Sequence, residues 1–183
     1  MPVTINASTS TGLVQTADNS GIIQFQSNGS TKATLNSSGF SYPGGILQVV
    51  NATYATSVAS SSGTYADTGL TASITPSSSS SKILVLVNQN GVYADGNAQA
   101  GVNLKLLRGA TDLATFGLGV GVHASTGTSN LSFGSCSTCY LDSPATTSST
   151  TYKTQFARAS GGQVFVQEAT GTVSTITLLE IAA

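Results

Sequence analysis

Hydrophobic and polar residues alternate along several stretches of this chain. Val102, Leu104 and Leu106 occupy every second position, with polar residues between them, and residues 152–156 (YKTQF) repeat the pattern. This period of two is typical of a strand with one buried face. No window shows the i, i+3, i+4, i+7 spacing of an amphipathic helix, and straight-chain helix formers are scarce. The pattern therefore predicts an all-β chain.

Turn dipeptides divide the alternating stretches into candidate strands. Asn-Gly at 28–29 and at 90–91, and Arg-Gly-Ala-Thr at 108–111, have the composition of tight hairpin turns. After residue 45, we predict strands near 46–56, 63–66, 69–75, 82–89, 100–108, 112–120, 130–141, 150–158, 162–168 and 172–181. Antiparallel strands of this number and length predict a β-sandwich of jelly-roll type, with residues 83–87 (ILVLV) buried on both faces at its centre.

The first 42 residues have a different character. Glycines recur every eight to ten residues and separate short segments that contain few large apolar side chains. Because so few apolar residues cannot offset the cost of ordering the segment, it must pack on the following domain, on copies of itself or on another protein. We predict an attachment and oligomerisation segment at 1–42 and a sandwich domain at 43–183, joined at Tyr-Pro-Gly-Gly (42–45). The candidate oligomer-interface residues are Ile5, Leu13, Ile22, Ile23, Phe25 and Leu35.

Composition and charge exclude several functions. Among 183 residues only 7% are charged, with six Lys and Arg against seven Asp and Glu, while 39% are hydrophobic. The few scattered basic residues make no footprint for a phosphate backbone, so we predict no nucleic-acid partner. The longest strongly apolar run, 83–87, is far too short to span a bilayer, and the start MPVT lacks the features of a signal peptide. We therefore predict neither membrane insertion nor a secretory leader.

Residues with catalytic or metal-binding chemistry are few. The chain contains one His, two Cys and no Trp. Cys136 and Cys139 form a single CxxC without further zinc ligands, and positions i and i+3 of a strand point to opposite faces. We interpret them as ordinary thiols or a local disulfide, and we predict no cofactor, no metal site and no enzymatic activity.

Tyrosines offer one candidate binding site. A loop tyrosine can stack on a sugar ring or anchor a protein interface. Tyr93 follows the predicted turn at 90–91 and lies beside Asp95 and Asn97. We therefore select Tyr93, Asp95 and Asn97 as candidate ligand or interface contacts.

Several motifs resemble a C-terminal β-domain of tail-fibre-like virion proteins of bacteriophages. In the sandwich region these are GILQVV at 45–50, TYADTGLTASITP at 64–76, SSKILVLV at 80–87, YLDSP at 140–144, YKTQF at 152–156 and TITLLEIAA at 175–183. TADNSGIIQF at 16–25, NGST at 28–31 and LNSSG at 35–39 are similar to the repeats that precede such domains in fibres. The resemblance implies a homotrimeric appendage on the virion surface. Its N-terminal strands would attach to the particle or wrap about a threefold axis, and its C-terminal sandwiches would form a knob.

The resemblance and the composition together lead to one expected function and two alternatives. We expect a non-enzymatic trimeric short fibre or surface appendage that contacts tail or capsid proteins and adheres to host-surface glycan by many weak contacts. The N-terminal part is much shorter than a long tail fibre, which favours a short fibre or a head decoration. One alternative is a capsid cement protein that stabilises the head without binding a receptor. The other, a glycan-degrading enzyme, would need paired carboxylates at a groove.

Overall fold

All regular secondary structure in the described residues is β-strand. The structure is a computed structural model that describes residues 20–37, 39–95, 100–123 and 134–183. The chain divides into two compact units between Pro43 and Gly44. The predicted all-β class is confirmed.

The first unit contains a three-stranded antiparallel sheet in the order β1-β2-β3. Its strands are β1 (Ile23–Ser27), β2 (Ser30–Asn36) and β3 (Gly39–Ser41). The Asn-Gly dipeptide joins β1 to β2 as predicted, since Ser27 pairs with Ser30 and Asn28 and Gly29 have φ angles of 51° and 72°. Positive φ at both central residues matches the right-handed twist of the two strands.

The described residues of the second unit form ten strands. They are β4 (Ile46–Tyr54), β5 (Val58–Ser60), β6 (Ala66–Ile74), β7 (Lys82–Asp95), β8 (Ala100–Arg108), β9 (Thr111–His123), β10 (Gly134–Asp142), β11 (Thr150–Ser160), β12 (Gln163–Val166) and β13 (Ser174–Ile181). Nine of the ten predicted strands have a counterpart here. The strand predicted at 63–66 is wrong, since the short strand of this region lies earlier, at β5, where it pairs with β12.

These strands form two antiparallel sheets. The first has the order β4-β13-β7-β12-β5, with β10 pairing the other edge of β7, and the second has the order β6-β11-β8-β9. With the short strands β5 and β12 set aside, the eight remaining strands numbered along the chain give 1-8-3-6 in the first sheet and 2-7-4-5 in the second. This arrangement is a jelly roll, so the predicted antiparallel sandwich is confirmed.

The inward faces of the two sheets form two apolar clusters. The larger contains Ile83, Val85 and Val87 of β7 together with Tyr152 of β11, and the smaller centres on Phe156. Residues 83–87 were predicted to be buried on both faces, and this is wrong. Leu84 and Leu86 point away from the core because only one face of β7 meets the second sheet.

A buried polar network lies between the apolar clusters. Thr154 donates to the Gln89 side chain at 2.9 Å and contacts the Thr68 hydroxyl at 2.5 Å. Gln89 in turn donates to Ser174 at 2.9 Å. Since β6, β7, β11 and β13 each contribute one side chain, the network fixes the alignment of the two sheets.

Candidate functional site

The sequence predicts that Tyr93 lies in an exposed loop, and this prediction is wrong. Tyr93 lies within β7, is only 8% exposed, and its ring stacks on Phe165 with centroids 5.6 Å apart. The physical reason is that the Asn-Gly dipeptide at 90–91 does not reverse the chain. The strand continues to Asp95, and β12 pairs with this continuation, placing Phe165 opposite Tyr93.

The two other predicted contact residues have different outcomes. Asp95 is exposed at the end of β7 and accepts a hydrogen bond from Tyr93, whereas Asn97 lies outside the described residues. Burial raises the pKa of Tyr93, and the negative charges of Asp95 and Glu168 raise it further. Tyr93 therefore stays protonated at neutral pH and acts as a hydrogen-bond donor beneath the surface.

Carboxylates elsewhere in the second unit stabilise its fold. Asp142 accepts hydrogen bonds from Arg108 at 2.8 Å and from the buried Tyr152 hydroxyl at 2.6 Å, which links β10 of the first sheet to the second sheet. Glu180 is fully buried and accepts hydrogen bonds from Gln48 and from Ser77. These groups cross-link strands and loops within the jelly roll.

No metal or redox centre is assembled in the part of the chain described. Among these residues, no three His, Cys, Asp or Glu side chains come close enough to hold a metal ion. Cys136 and Cys139 are both free thiols on β10, and they point to opposite faces, as expected. Cys136 packs against the smaller apolar cluster, and burial raises the pKa of its thiol, while Cys139 is exposed. Of the two interpretations, ordinary thiols or a local disulfide, the structure supports ordinary thiols.

The sheet of the first unit carries an exposed apolar face. Ile23 pairs with Leu35, which pairs with Phe40, and Phe25 lies two residues along the same face as Ile23. Phe25 and Phe40 are 47% and 55% exposed, and their rings meet edge to face with centroids 5.9 Å apart. Tyr42 follows at 6.0 Å from Phe40. We call Ile23, Phe25, Leu35, Phe40 and Tyr42 the N-terminal apolar face.

The predicted interface residues that the structure describes fall on this face or beside it. Ile22 precedes β1 and is exposed as well, while Ile5 and Leu13 lie outside the described residues. Phe40 and Tyr42 were missing from the predicted interface, although their alternate spacing along the chain was a usable signal.

The other face of the same sheet is polar. Gln24 pairs with Thr34, which pairs with Ser41, and Gln26 donates to Gln24 at 3.0 Å. A sheet with one polar and one apolar face is stable when a second layer covers the apolar face. The geometry of this sheet is therefore that of a packing surface.

A scan against models of protein families and a search of curated proteins each found no match. The described residues also include no helix that is long and apolar enough to cross a membrane.

Proposed function

We propose that this chain is a non-enzymatic structural protein of a bacteriophage particle. It forms a homotrimeric short fibre or surface appendage and contributes to adhesion to host-surface glycan. The N-terminal apolar face is the observation that carries the assembly, because apolar side chains aligned on one sheet face gain free energy when copies of the face cover each other. The trimeric state and the assignment to a virus particle rest on the sequence resemblance.

The jelly roll of the second unit supports the same proposal. Viral capsid and lectin domains use this architecture, although an architecture by itself assigns no function. Three knobs on one assembly, and many assemblies on one particle, would turn a weak glycan contact into firm adhesion. A trimer with a sandwich knob therefore suits a surface appendage.

Light scattering on the purified full chain tests the assembly. We expect a mass three times the 18.3 kDa of one chain at micromolar concentration. The variant Phe25→Lys/Phe40→Lys places two charges on the N-terminal apolar face and should dissociate the trimer. The matched control, Gln24→Lys/Thr34→Lys, places them on the polar face of the same sheet and should leave the trimer intact. A wild-type chain that stays monomeric at every concentration would refute the assembly.

A capsid cement protein is the second candidate, and the burial of Tyr93 favours it. Stacking on a sugar requires an exposed ring, and Tyr93 lies under the surface against Phe165. Antibody-gold labelling of intact particles separates the two candidates, since label over the head favours cement and label at the tail favours adhesion. Particles that lack the protein should adsorb poorly to cells if it is an adhesin. If it is cement, they should adsorb normally but break at a lower temperature.

A further inference from the structure

The Asn-Gly dipeptide occurs twice in the chain, at 28–29 and at 90–91, and the two copies have different surroundings. Asparagine followed by glycine is a chemically labile pair. Glycine has no side chain to shield its backbone nitrogen, so this nitrogen can attack the side chain of the asparagine before it. In a folded protein, the attack requires that both residues can leave their native conformation.

The copy at 28–29 forms the tip of the hairpin between β1 and β2. Asn28 and Gly29 are both exposed, and nothing lies within 4 Å of a Cβ atom added to Gly29. Ser27 and Ser30, the strand residues that pair next to the turn, are exposed as well. Such a tip can open locally without disrupting a hydrophobic core. The Asn28 side chain is therefore free to reach the Gly29 nitrogen.

The copy at 90–91 is held in place by neighbouring segments. The Asn90 side-chain nitrogen donates to the Val173 carbonyl oxygen at 2.6 Å. The carbonyl oxygens of Asn90 and Gly91 each accept a backbone hydrogen bond of 3.0 Å from residues 167–168. Gly91 is buried, and a Cβ atom added there would lie within 2.5 Å of two backbone atoms of residue 168. Turning the Asn90 side chain toward the Gly91 nitrogen would break these contacts.

We propose that Asn28 is a site of spontaneous deamidation in the folded chain and that the fold protects Asn90. The Gly29 backbone nitrogen attacks Cγ of Asn28 and closes a succinimide ring. The bond between Cγ and Nδ2 breaks, and Nδ2 leaves as ammonia, which takes up the proton of the Gly29 nitrogen. Water then adds to one of the two ring carbonyl carbons and breaks its bond to that nitrogen. The product at position 28 is aspartate or isoaspartate.

Both products alter the hairpin that carries part of the N-terminal apolar face. Each adds a negative charge at the turn. Isoaspartate also leads the main chain through the former side-chain carbon, which lengthens a turn whose two residues both have positive φ. Phe25 and Leu35 lie on the two strands that this turn joins, so isoaspartate should weaken the pairing of β1 with β2. Deamidation does not require the proposed assembly, because only the turn takes part.

Incubation of the purified full-length chain in mildly alkaline buffer tests the proposal. Peptide mapping by mass spectrometry separates the two Asn-Gly sites and detects the small gain in mass when an amide becomes an acid. Three hydrogen bonds hold the segment at 90–91. Because each bond that must open slows the reaction by about fivefold, we expect Asn28 to react at least about tenfold faster than Asn90. In guanidinium chloride, which unfolds the chain, the two sites should react at similar rates.

Asn28→Gln is the matched variant, because glutamine keeps the amide but closes the corresponding larger ring far more slowly. It should remove the fast phase of ammonia release and leave the slow reaction at Asn90 unchanged. Equal protection of Asn28 and Asn90 relative to the unfolded chain, or stronger protection of Asn28, would overturn the proposal. Fast ammonia release that persists in Asn28→Gln would overturn it as well. The comparison of the two sites within one wild-type chain holds even if the variant folds poorly.

Discussion

Replacing Gly91 by alanine tests the path of the chain through β7. Gly91 lies inside this strand with a φ of 60°, and a Cβ atom added there would come within 2.3 Å of the Glu168 carbonyl oxygen. At the same point, Gln167 and Glu168 each donate a backbone hydrogen bond of 3.0 Å to residues 90 and 91. Gly109, in the turn between β8 and β9, is the matched control, because its φ is 56° and nothing lies within 4 Å of an added Cβ.

The two substitutions share one cost and differ in another. Placing a Cβ on a residue with left-handed φ costs about 1–2 kcal/mol, which applies to Gly91→Ala and to Gly109→Ala alike. Only Gly91→Ala must also push the segment at Glu168 away from β7 and weaken two backbone hydrogen bonds, each worth about 1 kcal/mol net. We therefore expect Gly91→Ala to be the more destabilising by about 2 kcal/mol.

Thermal and urea unfolding measure this difference. In a chain of this size, about 2 kcal/mol corresponds to a Tm difference of about 4–8 °C between the two variants. All samples need the same protein concentration, since association itself raises the Tm. Equal destabilisation of the two variants would refute the reasoning. It would mean that residue 91 lies in an open hairpin turn, as the Asn-Gly dipeptide alone suggests, and not against Glu168.

Three further predictions concern the buried acids and the thiols. Burial tends to raise the pKa of Glu180, but hydrogen bonds from its neighbours outweigh this and hold the pKa below its ordinary value of 4.5. The Glu180 carboxylate should therefore stabilise the fold fully above about pH 4.5, and this contribution should be lost as the pH falls through the lowered pKa. Glu180→Gln should accordingly flatten the dependence of Tm on pH between about 3 and 5. Tyr152→Phe removes the hydrogen bond to Asp142 and should lower the free energy of unfolding by about 1.5–3 kcal/mol. Lys153→Met, at a largely solvated ion pair, should lower the free energy of unfolding by less than about 1 kcal/mol, as measured by urea unfolding. A thiol assay on the unreduced, denatured chain should find two free thiols, and in the folded chain Cys139 should react first; a single or absent reactive thiol would contradict this.

The alternation of apolar and polar residues predicted most of the strands because it indicates which face of a strand packs on the core. Val102, Leu104 and Leu106 are indeed buried on the inward face of β8. The Asn-Gly dipeptides show the limit of this approach. At 28–29 the pair forms the predicted hairpin, whereas at 90–91 the same pair lies within a strand. The dipeptide predicts positive φ correctly at Gly29 and Gly91, but whether the chain then reverses depends on the strand that pairs beyond it.

The candidate surfaces were predictable only in part, for the same reason. The Asn-Gly dipeptide predicts a loop at Tyr93, but the residue that buries Tyr93, Phe165, comes from a strand some seventy residues later. Ile23, Phe25 and Leu35 of the N-terminal apolar face were among the predicted interface residues, since a segment with so few apolar residues needs a partner. The apolar row that crosses the outward side of the first sheet, Val49, Leu179, Leu84 and Leu141, could not be foreseen. It exists only once register places residues of four distant strands in the same rows.

The positions of the few charged residues give the low charge of the chain a structural meaning. Within the described residues of the second unit, Asp67 and Asp112 pair with lysines on the opposite sheet, while Asp142 and Glu180 are used in the interior. The N-terminal apolar face carries no charged side chain. A monomer would thus present this uncharged apolar face to water. Covering that face between copies would remove this cost, which links the low charge of the chain to the proposed assembly.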